Sequence, residues 1–183
     1  AMINSEMNLT HPSDERINET YIRDIRLGID GLIYGVTQVG DLFTLKNGKV
    51  INFLSRENCR IKGIISILPD PKRPGQVYVG TENSEVYHGS IENNFATMGI
   101  RDVSPLSLLE RFEFIDNKIW ICAGNGIGYM DAHNFHKIDN IPMENSIGHV
   151  MTDYEGNLWF TSSRHGVMKI VPNHFLDLYE RHN

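Results

Sequence analysis

DYEGNLWFTSSRHGVMKIV, residues 153–171, is the stretch that decides the fold. It reads in order as the end of a strand, a tight turn, a strand that contains Trp159, a loop that contains Gly166 and another short strand. Short connections between antiparallel strands often need a positive backbone angle, which Gly and Asn tolerate better than most residues. Because such a segment forms only part of a sheet, the fold depends on whether the pattern recurs along the chain.

The pattern recurs in three further segments. Each copy has a turn rich in Gly, Asn or Asp, an aliphatic residue, an aromatic residue, a loop of small residues and a second short strand. The copies are DGLIYGVTQVGDLFTL (30–45), PGQVYVGTENSEVYHG (74–89), DNKIWICAGNGIGYMD (116–131) and EGNLWFTSSRHGVMKI (155–170). Their aromatic residues, Tyr34, Tyr78, Trp120 and Trp159, lie 44, 42 and 39 residues apart. A period of about 40 to 45 residues with several short strands per unit is typical of a propeller blade.

Each unit divides into four strand-like segments. This predicts an all-β fold, a β-propeller of about four blades with four antiparallel strands each, as a partial ring or a small closed propeller. The segment 106–115 has leucines that could begin a helix, but its place in the repeat assigns it to an innermost strand. The predicted strands are 21–28, 32–37, 41–45 and 49–54, then 62–68, 76–81, 85–89 and 95–100, then 106–115, 118–123, 128–131 and 135–138, and finally 148–152, 157–161, 167–171 and 175–179.

The domain organisation follows from the same repeat. We expect a polar N-terminal segment at 1–17, in which Ala1 before Met2 is typical of an expression remnant. The propeller region then covers 18–183. Its predicted blades are approximately 18–56, 57–102, 103–144 and 145–183.

The turn and the aromatic residues have structural interpretations. Asp153 lies three residues before Gly156, where its carboxylate can accept hydrogen bonds from turn amides. Trp120 and Trp159 each follow an aliphatic residue, so the two side chains point to opposite faces of the blade. Both faces must then be covered, as they are when a blade packs between two neighbours. We therefore interpret the tryptophans as packing residues rather than as platforms that stack on sugars.

Composition and charge restrict the function. The 183 residues are 40% hydrophobic and 22% charged, as in a globular protein, and the formal net charge is -6. We expect no nucleic acid partner, because phosphate binding needs a concentrated basic surface. No apolar run is long enough to span a bilayer, and no signal peptide is visible. Cys59 and Cys122 lack metal-like spacing, so two free, buried thiols are expected.

The last unit closely resembles the two-component regulator propeller repeat, whose pattern is roughly D-x-x-G-x-L-W-x-x-T followed by a glycine-containing loop and a short apolar strand. Unit three departs from it at Cys122 and Ala123, and the first two units have Tyr in place of Trp, so their assignment depends on the period. The matching residues are Asp153, Gly156, Leu158, Trp159 and Gly166 in unit four, with Asn117, Ile119, Trp120 and Gly126 in unit three.

This resemblance implies a function. Propellers of the family form the extracytoplasmic sensor part of membrane-bound bacterial signalling proteins, which are hybrid histidine kinases or diguanylate cyclases. The resemblance therefore implies an extracytoplasmic part of a membrane-anchored protein, with the signalling domain absent from this chain. Family propellers usually have about seven blades, so four units form either a fragment of a larger ring or a small closed one. An open arc would expose two blade faces, and we expect it to form a homo-oligomer through its end blades.

Few residues indicate a binding site. Arg164 and His165 lie in the loop between the second and third strands of unit four, which in propellers opens on a rim of the central channel, so they are the predicted ligand contacts. His133 and His136 have H-x-x-H spacing without a second ligand pair nearby, and we interpret them as a solvated pair. No catalytic residue, metal or cofactor is predicted. The predicted ligand is a small extracellular molecule, with a carbohydrate as one candidate.

Three classes of function stay open. The favoured one is a non-catalytic module that senses a ligand or binds a partner. A propeller enzyme acting on polysaccharide, either a lyase or a hydrolase, would need clustered carboxylates or a His/Glu metal set that the repeat does not offer. A scaffold that binds only protein is the third.

Overall fold

The computed structural model describes residues 2–3, 9–10 and 14–171, so the predicted strand 175–179 lies outside the described residues. The chain begins with a two-stranded antiparallel pair, β1 (Met2–Ile3) and β2 (Leu9–Thr10), followed by the short helix α1 (Glu15–Asn18), which the sequence did not predict. The rest of the described chain is built from short strands and their connections. Among the described residues, no helix is long and apolar enough to cross a membrane.

The strands form four successive sheets, here called blades 1 to 4, in which neighbours along the chain pair antiparallel. Within the described residues, three blades have four strands and the last has three. This confirms the predicted propeller blades. The strands are β3 (Ile22–Leu27), β4 (Ile33–Thr37), β5 (Leu42–Lys46) and β6 (Lys49–Leu54) in blade 1; β7 (Ile64–Pro69), β8 (Val77–Thr81), β9 (Glu85–Gly89) and β10 (Gly99–Asp102) in blade 2; β11 (Arg111–Ile115), β12 (Lys118–Ala123), β13 (Gly126–Met130) and β14 (Phe135–Ile138) in blade 3; β15 (Ile147–Thr152), β16 (Leu158–Ser162) and β17 (Gly166–Ile170) in blade 4.

Turn chemistry explains why the strands end where they do. In blade 1, β5 and β6 are joined by Asn47 and Gly48, whose φ angles are 50° and 77°. In blade 3, β11 and β12 are joined by Asp116 and Asn117, with φ angles of 50° and 60°. Two successive positive φ angles match the twist of antiparallel strands, and Asn, Asp and Gly adopt them at low cost.

The predicted innermost strand 106–115 is wrong in its first half, because β11 begins only at Arg111. Leu108 has a φ of 54°, which an extended strand does not allow. The amides of Leu108 and Leu109 instead donate to backbone carbonyls at the end of β8, at 3.0 Å each. Leu106 and Leu109 are fully buried beside blade 2. The apolar run is therefore a loop that packs blade 3 against blade 2.

The prediction for 95–100 is wrong at its start for a similar reason. Phe95 has a φ of 53° and lies in a turn, where its amide donates to the Ser90 carbonyl at 2.9 Å. Its side chain is fully buried in the layer between blades 1 and 2, and the strand β10 begins only at Gly99. A buried aromatic residue of a turn thus has the same sequence signal as the first residue of a strand.

Three apolar layers hold successive blades together. Tyr34 is buried between blades 1 and 2, Tyr78 packs between blades 2 and 3, and Trp120 is buried between blades 3 and 4. In blades 1 to 3 the repeat aromatic residue therefore faces the next blade, and in blades 2 to 4 the aliphatic residue before it faces the previous blade. This confirms the interpretation of Trp120 as a packing residue. The two cysteines are free and buried, Cys59 in the first layer and Cys122 in the third, as expected.

The two ends of the arc differ from these internal layers. On blade 4, Trp159 is only half-buried, and Met151 and Val167 beside it are each 63% exposed. On blade 1, Ile25 and Leu27 are 52% and 74% exposed. Among the described residues, no hydrophobic cluster joins blade 4 to blade 1. Association of copies through these ends stays a prediction, as do the domain limits.

Candidate functional site

The innermost strands of blades 1 and 3 meet through four charged side chains. Asp24 and Arg26 on β3 have the same register in blade 1 as Arg111 and Glu113 on β11 have in blade 3. Arg111 Nη1 donates to Asp24 Oδ1 at 2.9 Å, and Arg26 Nη1 donates to Glu113 Oε1 at 2.6 Å. Arg26 Nε also lies 3.2 Å from Asp24 Oδ1, and Arg111 Nε lies 3.4 Å from Glu113 Oε1. Equivalent positions therefore carry opposite charges and pair reciprocally.

Asp24 is the buried centre of this network, with only 4% of the residue exposed. Its carboxylate also accepts hydrogen bonds from the amides of Ile25, at 3.0 Å, and Ile67, at 3.5 Å. Arg26 additionally donates from Nη2 to the carbonyl of Phe112 at 2.9 Å. The network thus joins blades 1, 2 and 3, and its polar atoms are largely committed to one another. Its chemistry is that of a structural joint rather than of an open site.

An open cleft lies next to this network, between blades 3 and 4, with a volume of about 760 Å³. We call it the 3–4 cleft. It is bounded by the loop after β12, the segment that leads into β15 and the loop between β16 and β17. Its lining residues are Leu108, Glu110, Gly124, Asn145, Ser146, Ile147, Gly148, His149, Thr161, Ser162, Ser163 and Arg164.

Backbone hydrogen bonds fix the walls of the 3–4 cleft. The amide of Ser146 donates to the carbonyl of Gly124 at 2.9 Å, and the amide of Ser163 donates to the carbonyl of Ser146 at 3.3 Å. Gly124 and Ser163 lie in equivalent loops of neighbouring blades. The repeat therefore brings two copies of the same loop to one end of the arc and leaves the cleft between them.

Ser162 shapes the loop that carries the predicted ligand contacts. Its Oγ accepts hydrogen bonds from the amides of Arg164, at 3.1 Å, and His165, at 3.2 Å, and donates to the Asn145 carbonyl at 2.9 Å. Arg164 is exposed and lines the cleft, while His165 turns aside, with Nε2 3.1 Å from Asn145 Oδ1. The two residues share a loop, but only Arg164 reaches the cleft. Their role in binding stays a prediction.

His149 is a cleft residue that sequence reasoning missed. It lies on β15 opposite Thr161, the register position that Arg111 occupies in blade 3. Partial burial, followed by the positive charges of Arg111 and Arg26, lowers the pKa of His149 below its ordinary value. The lowered pKa favours the neutral form of His149, and Arg164 supplies a permanent positive charge in the lining of the cleft. The repeat register was the signal that could have identified His149.

The H-x-x-H pair does not line the 3–4 cleft, and its two histidines contact the Asp131 carboxylate in different ways. His136 Nε2 lies 2.8 Å from Asp131 Oδ2, while His133 is exposed and contributes its backbone amide to the same carboxylate. Among the described residues, no group of three or more His, Cys, Asp or Glu side chains is placed to hold a metal ion.

Asp153 caps the turn of blade 4 as the sequence predicted. Its Oδ1 accepts from the amides of Glu155, at 3.0 Å, and Asn157, at 2.9 Å. Its Oδ2 accepts from Trp159 Nε1 at 2.8 Å and from Asn157 Nδ2 at 2.9 Å. These hydrogen bonds, with that from Trp159 the largest, hold the pKa of the Asp153 carboxyl well below its ordinary value.

This pKa shift predicts how the stability of an Asp153→Asn variant depends on pH. A carboxylate with a lowered folded-state pKa stabilises the fold fully above the ordinary value of 3.8 and loses this contribution as the pH falls towards the folded-state value. We expect the urea midpoint of the variant to lie below that of the parent at pH 7, and the difference to shrink between pH 4 and pH 2. Glu144→Gln, at an exposed glutamate, is the control. A difference that stays constant over this range would contradict the role of the ionised carboxylate.

The sheets and their layers define the chain as a β-propeller. No protein-family model matches the sequence, and no curated protein matches it significantly. Solved structures do share the fold. The extracellular domain of the hybrid two-component system BT3049 from B. thetaiotaomicron aligns with a TM-score of 0.65 and 21% identity, over 97% of this chain and 24% of that one.

Two further structures show the same similarity. The extracellular domain of the hybrid two-component system BT4673 from B. thetaiotaomicron gives a TM-score of 0.60 and 17% identity, over 88% of this chain and 24% of that one. The WD40 β-propeller domain of Doa1 gives a TM-score of 0.65 and 11% identity, over 84% of this chain and 51% of that one. The chain thus spans about a quarter of the two extracellular domains and about half of the Doa1 domain. At these low sequence identities the structural similarity shows the fold alone, which is consistent with the two-component regulator propeller family.

Proposed function

We propose that this protein is a non-catalytic sensor module that binds a small extracellular ligand in the 3–4 cleft. The observation that carries the proposal is the cleft itself, a space of about 760 Å³ bordered by the predicted contact Arg164. Ligand pockets commonly have volumes of about 300 to 1,000 Å³ and a few placed polar groups.

Arg164 is the group in the cleft best suited to contact a ligand. Within the described residues its guanidinium has no hydrogen bond or ion pair, and its backbone amide is held by Ser162 Oγ at 3.1 Å. The loop is therefore anchored while the side chain stays available. A free guanidinium presents five N–H donors in a planar fork.

The remaining lining favours a carbohydrate as the ligand. Sugars combine many hydroxyl groups with an apolar ring face. The hydroxyls of Ser146 and Ser163 and the amide of Asn145 offer both donors and acceptors, and Leu108, which is 44% exposed, offers an apolar surface. An oligosaccharide of two or three units matches this mixture of groups.

The signalling role rests on resemblance and on similar folds. The repeat pattern resembles extracytoplasmic sensor propellers, and two of the similar structures are extracellular domains of hybrid two-component systems. We infer that the chain is the extracytoplasmic part of a membrane-anchored bacterial protein. A kinase or cyclase domain outside this chain would then convert ligand binding into output.

A binding screen tests the proposal directly. The intact chain is screened against oligosaccharides by thermal shift, because a ligand that binds only the folded state raises the melting temperature. For any ligand found, we expect Arg164→Ala to bind about ten- to a hundredfold more weakly in calorimetry, as expected for a lost hydrogen bond to a charged group. Arg60→Ala, at an exposed arginine outside the cleft, is the matched control and keeps the parent affinity.

The same samples separate the alternatives. Turnover of the bound sugar, detected by product analysis, would show that the protein is a lyase or hydrolase rather than a non-catalytic sensor. Binding of proteins with no response to any oligosaccharide would favour a scaffold. Equal affinity of the Arg164→Ala and Arg60→Ala variants for the ligand would mean that the ligand does not bind in the 3–4 cleft.

A further inference from the structure

We propose that a second cavity, between blades 2 and 3, binds an oxyanion: a carboxylate, sulfate or phosphate group carried by a small molecule. The cavity has a volume of about 390 Å³ and is called here the 2–3 cavity. Arg73, Tyr78, His88 and Arg101 border it on the side of blade 2, and Met130 and Asp131 on the side of blade 3. It shares no lining residue with the 3–4 cleft.

Two guanidinium groups at this cavity have unused donors. Arg101 Nη1 donates to the backbone carbonyl of Asp131 at 3.2 Å, which orients the side chain but does not neutralise it. The guanidinium of Arg73 has no hydrogen bond to the residues that the structure describes. Neither arginine forms an ion pair within this part of the chain. Both arginines line the same cavity.

The acidic side chains nearby are committed to other partners. Asp70 accepts the amides of Lys72, at 2.8 Å, and Arg73, at 3.2 Å, and its second oxygen lies 2.8 Å from His88 Nε2. Asp131 accepts two backbone amides of its own turn and lies 2.8 Å from His136 Nε2. These carboxylates are satisfied locally, so they leave the guanidinium donors for an external anion.

The other walls favour this use of the arginines. Val86, Ile119 and Met130 are buried and give the cavity an apolar side, which weakens competition from water for charged hydrogen bonds. Tyr78 stacks on His88 with ring centroids 4.3 Å apart, so one wall is flat and held in place. Guanidinium groups recognise carboxylate, sulfate and phosphate through paired hydrogen bonds, whereas lysine acts as a point charge.

Chemical-shift titration of the isotope-labelled chain tests the site. The probes are sodium sulfate, sodium phosphate and sodium glucuronate, added at constant ionic strength with sodium chloride as the reference anion. We expect at least one probe to shift the amide resonances of residues 99–101 and 131–132, with shifts that saturate as the probe concentration rises. The probe that binds most tightly identifies which oxyanion the cavity takes.

Variants separate a built site from general attraction of anions. We expect the double variant Arg73→Ala/Arg101→Ala to bind the tightest-binding probe at least tenfold more weakly than the parent. Arg101→Lys should lose less affinity, because lysine keeps the positive charge but lacks the planar guanidinium group. Arg60→Ala and Arg164→Ala leave this binding unchanged, so the result does not depend on the 3–4 cleft. Circular dichroism melting verifies that each variant is folded. Absence of saturable shifts with all three probes, or retained affinity in the folded double variant, would overturn the site.

Discussion

Trp120→Ala is expected to lower the free energy of unfolding by about 3 to 5 kcal/mol, the usual cost of removing a buried aromatic side chain. Trp120 is 7% exposed at the centre of the layer between blades 3 and 4. Its ring centroid lies 5.1 Å from that of Tyr129 and 5.7 Å from that of Phe160. The cavity left by alanine would thus lie between two blades, where neither sheet can shift without breaking its own pairing. Urea denaturation followed by circular dichroism measures the loss.

Trp159 provides the matched control because it occupies the same repeat position in blade 4. It is half-buried at the end of the arc, with Lys169 Nζ 5.1 Å from its ring centroid and Asp153 Oδ2 accepting from its Nε1. We expect Trp159→Ala to cost about 1 to 2 kcal/mol, from the lost hydrogen bond and partial burial. If Trp120→Ala does not fold, Trp120→Phe gives the smaller, measurable loss. Equal costs at the two positions would contradict the assignment of blade 4 as the end of the described arc.

The repeat period predicted the fold because it depends on residues that every blade needs. In blades 1 to 3 the aromatic residue of the second strand packs on the next blade, so the spacing of these residues measures the blade directly. The departure from Trp at Tyr34 also has a physical basis. Tyr34 OH donates to Asp30 Oδ2 at 2.6 Å, as Trp159 Nε1 donates to Asp153 in blade 4. A phenol and an indole can therefore both bond to a turn aspartate.

The incorrect strand predictions have one cause in common. Leu106, Leu109 and Phe95 are fully buried, yet all three lie in connections rather than in strands. The hydrophobic pattern of a sequence indicates which residues are buried, and in this propeller the loops between blades are buried as well as the strands. Positive φ angles at Leu108 and Phe95 interrupt the strands there, and neither residue type signals such an angle in the sequence.

The sites were less accessible to sequence reasoning than the fold. Arg164 could be assigned to the loop between the second and third strands of blade 4, because its position in the repeat determines that location, while its role in binding stays a prediction. The 2–3 cavity and the charged network could not be found in this way, because their members come from different blades. Asp24 and Arg111 are 87 residues apart and pair only after the innermost strands have assembled. No local motif predicts such a contact.

The network of Asp24 carries the second large prediction. Asp24→Ala is expected to lower the free energy of unfolding by about 3 to 5 kcal/mol, because it leaves two arginines without a shared, buried counter-charge. The side chain of Asp24 is 3% exposed, and those of Arg26 and Arg111 are 14% and 24% exposed. Removing one partner of a buried ion pair leaves the desolvation cost of the other partner uncompensated. Urea denaturation of the purified variants measures the loss.

Glu110→Ala is the matched control because the Arg23–Glu110 pair joins the same two blades at 3.1 Å, with side chains 32% and 35% exposed. Solvent screening limits the contribution of such a pair to the free energy of unfolding to about 1 kcal/mol or less. A double-mutant cycle of Asp24→Ala with Arg111→Ala then isolates the pair, and we expect a coupling free energy of about 1 to 3 kcal/mol. Additive losses in that cycle, or equal losses for Asp24→Ala and Glu110→Ala, would mean that burial does not strengthen the contact. The joint between blades 1 and 3 would then gain no measurable stability from the burial of Asp24.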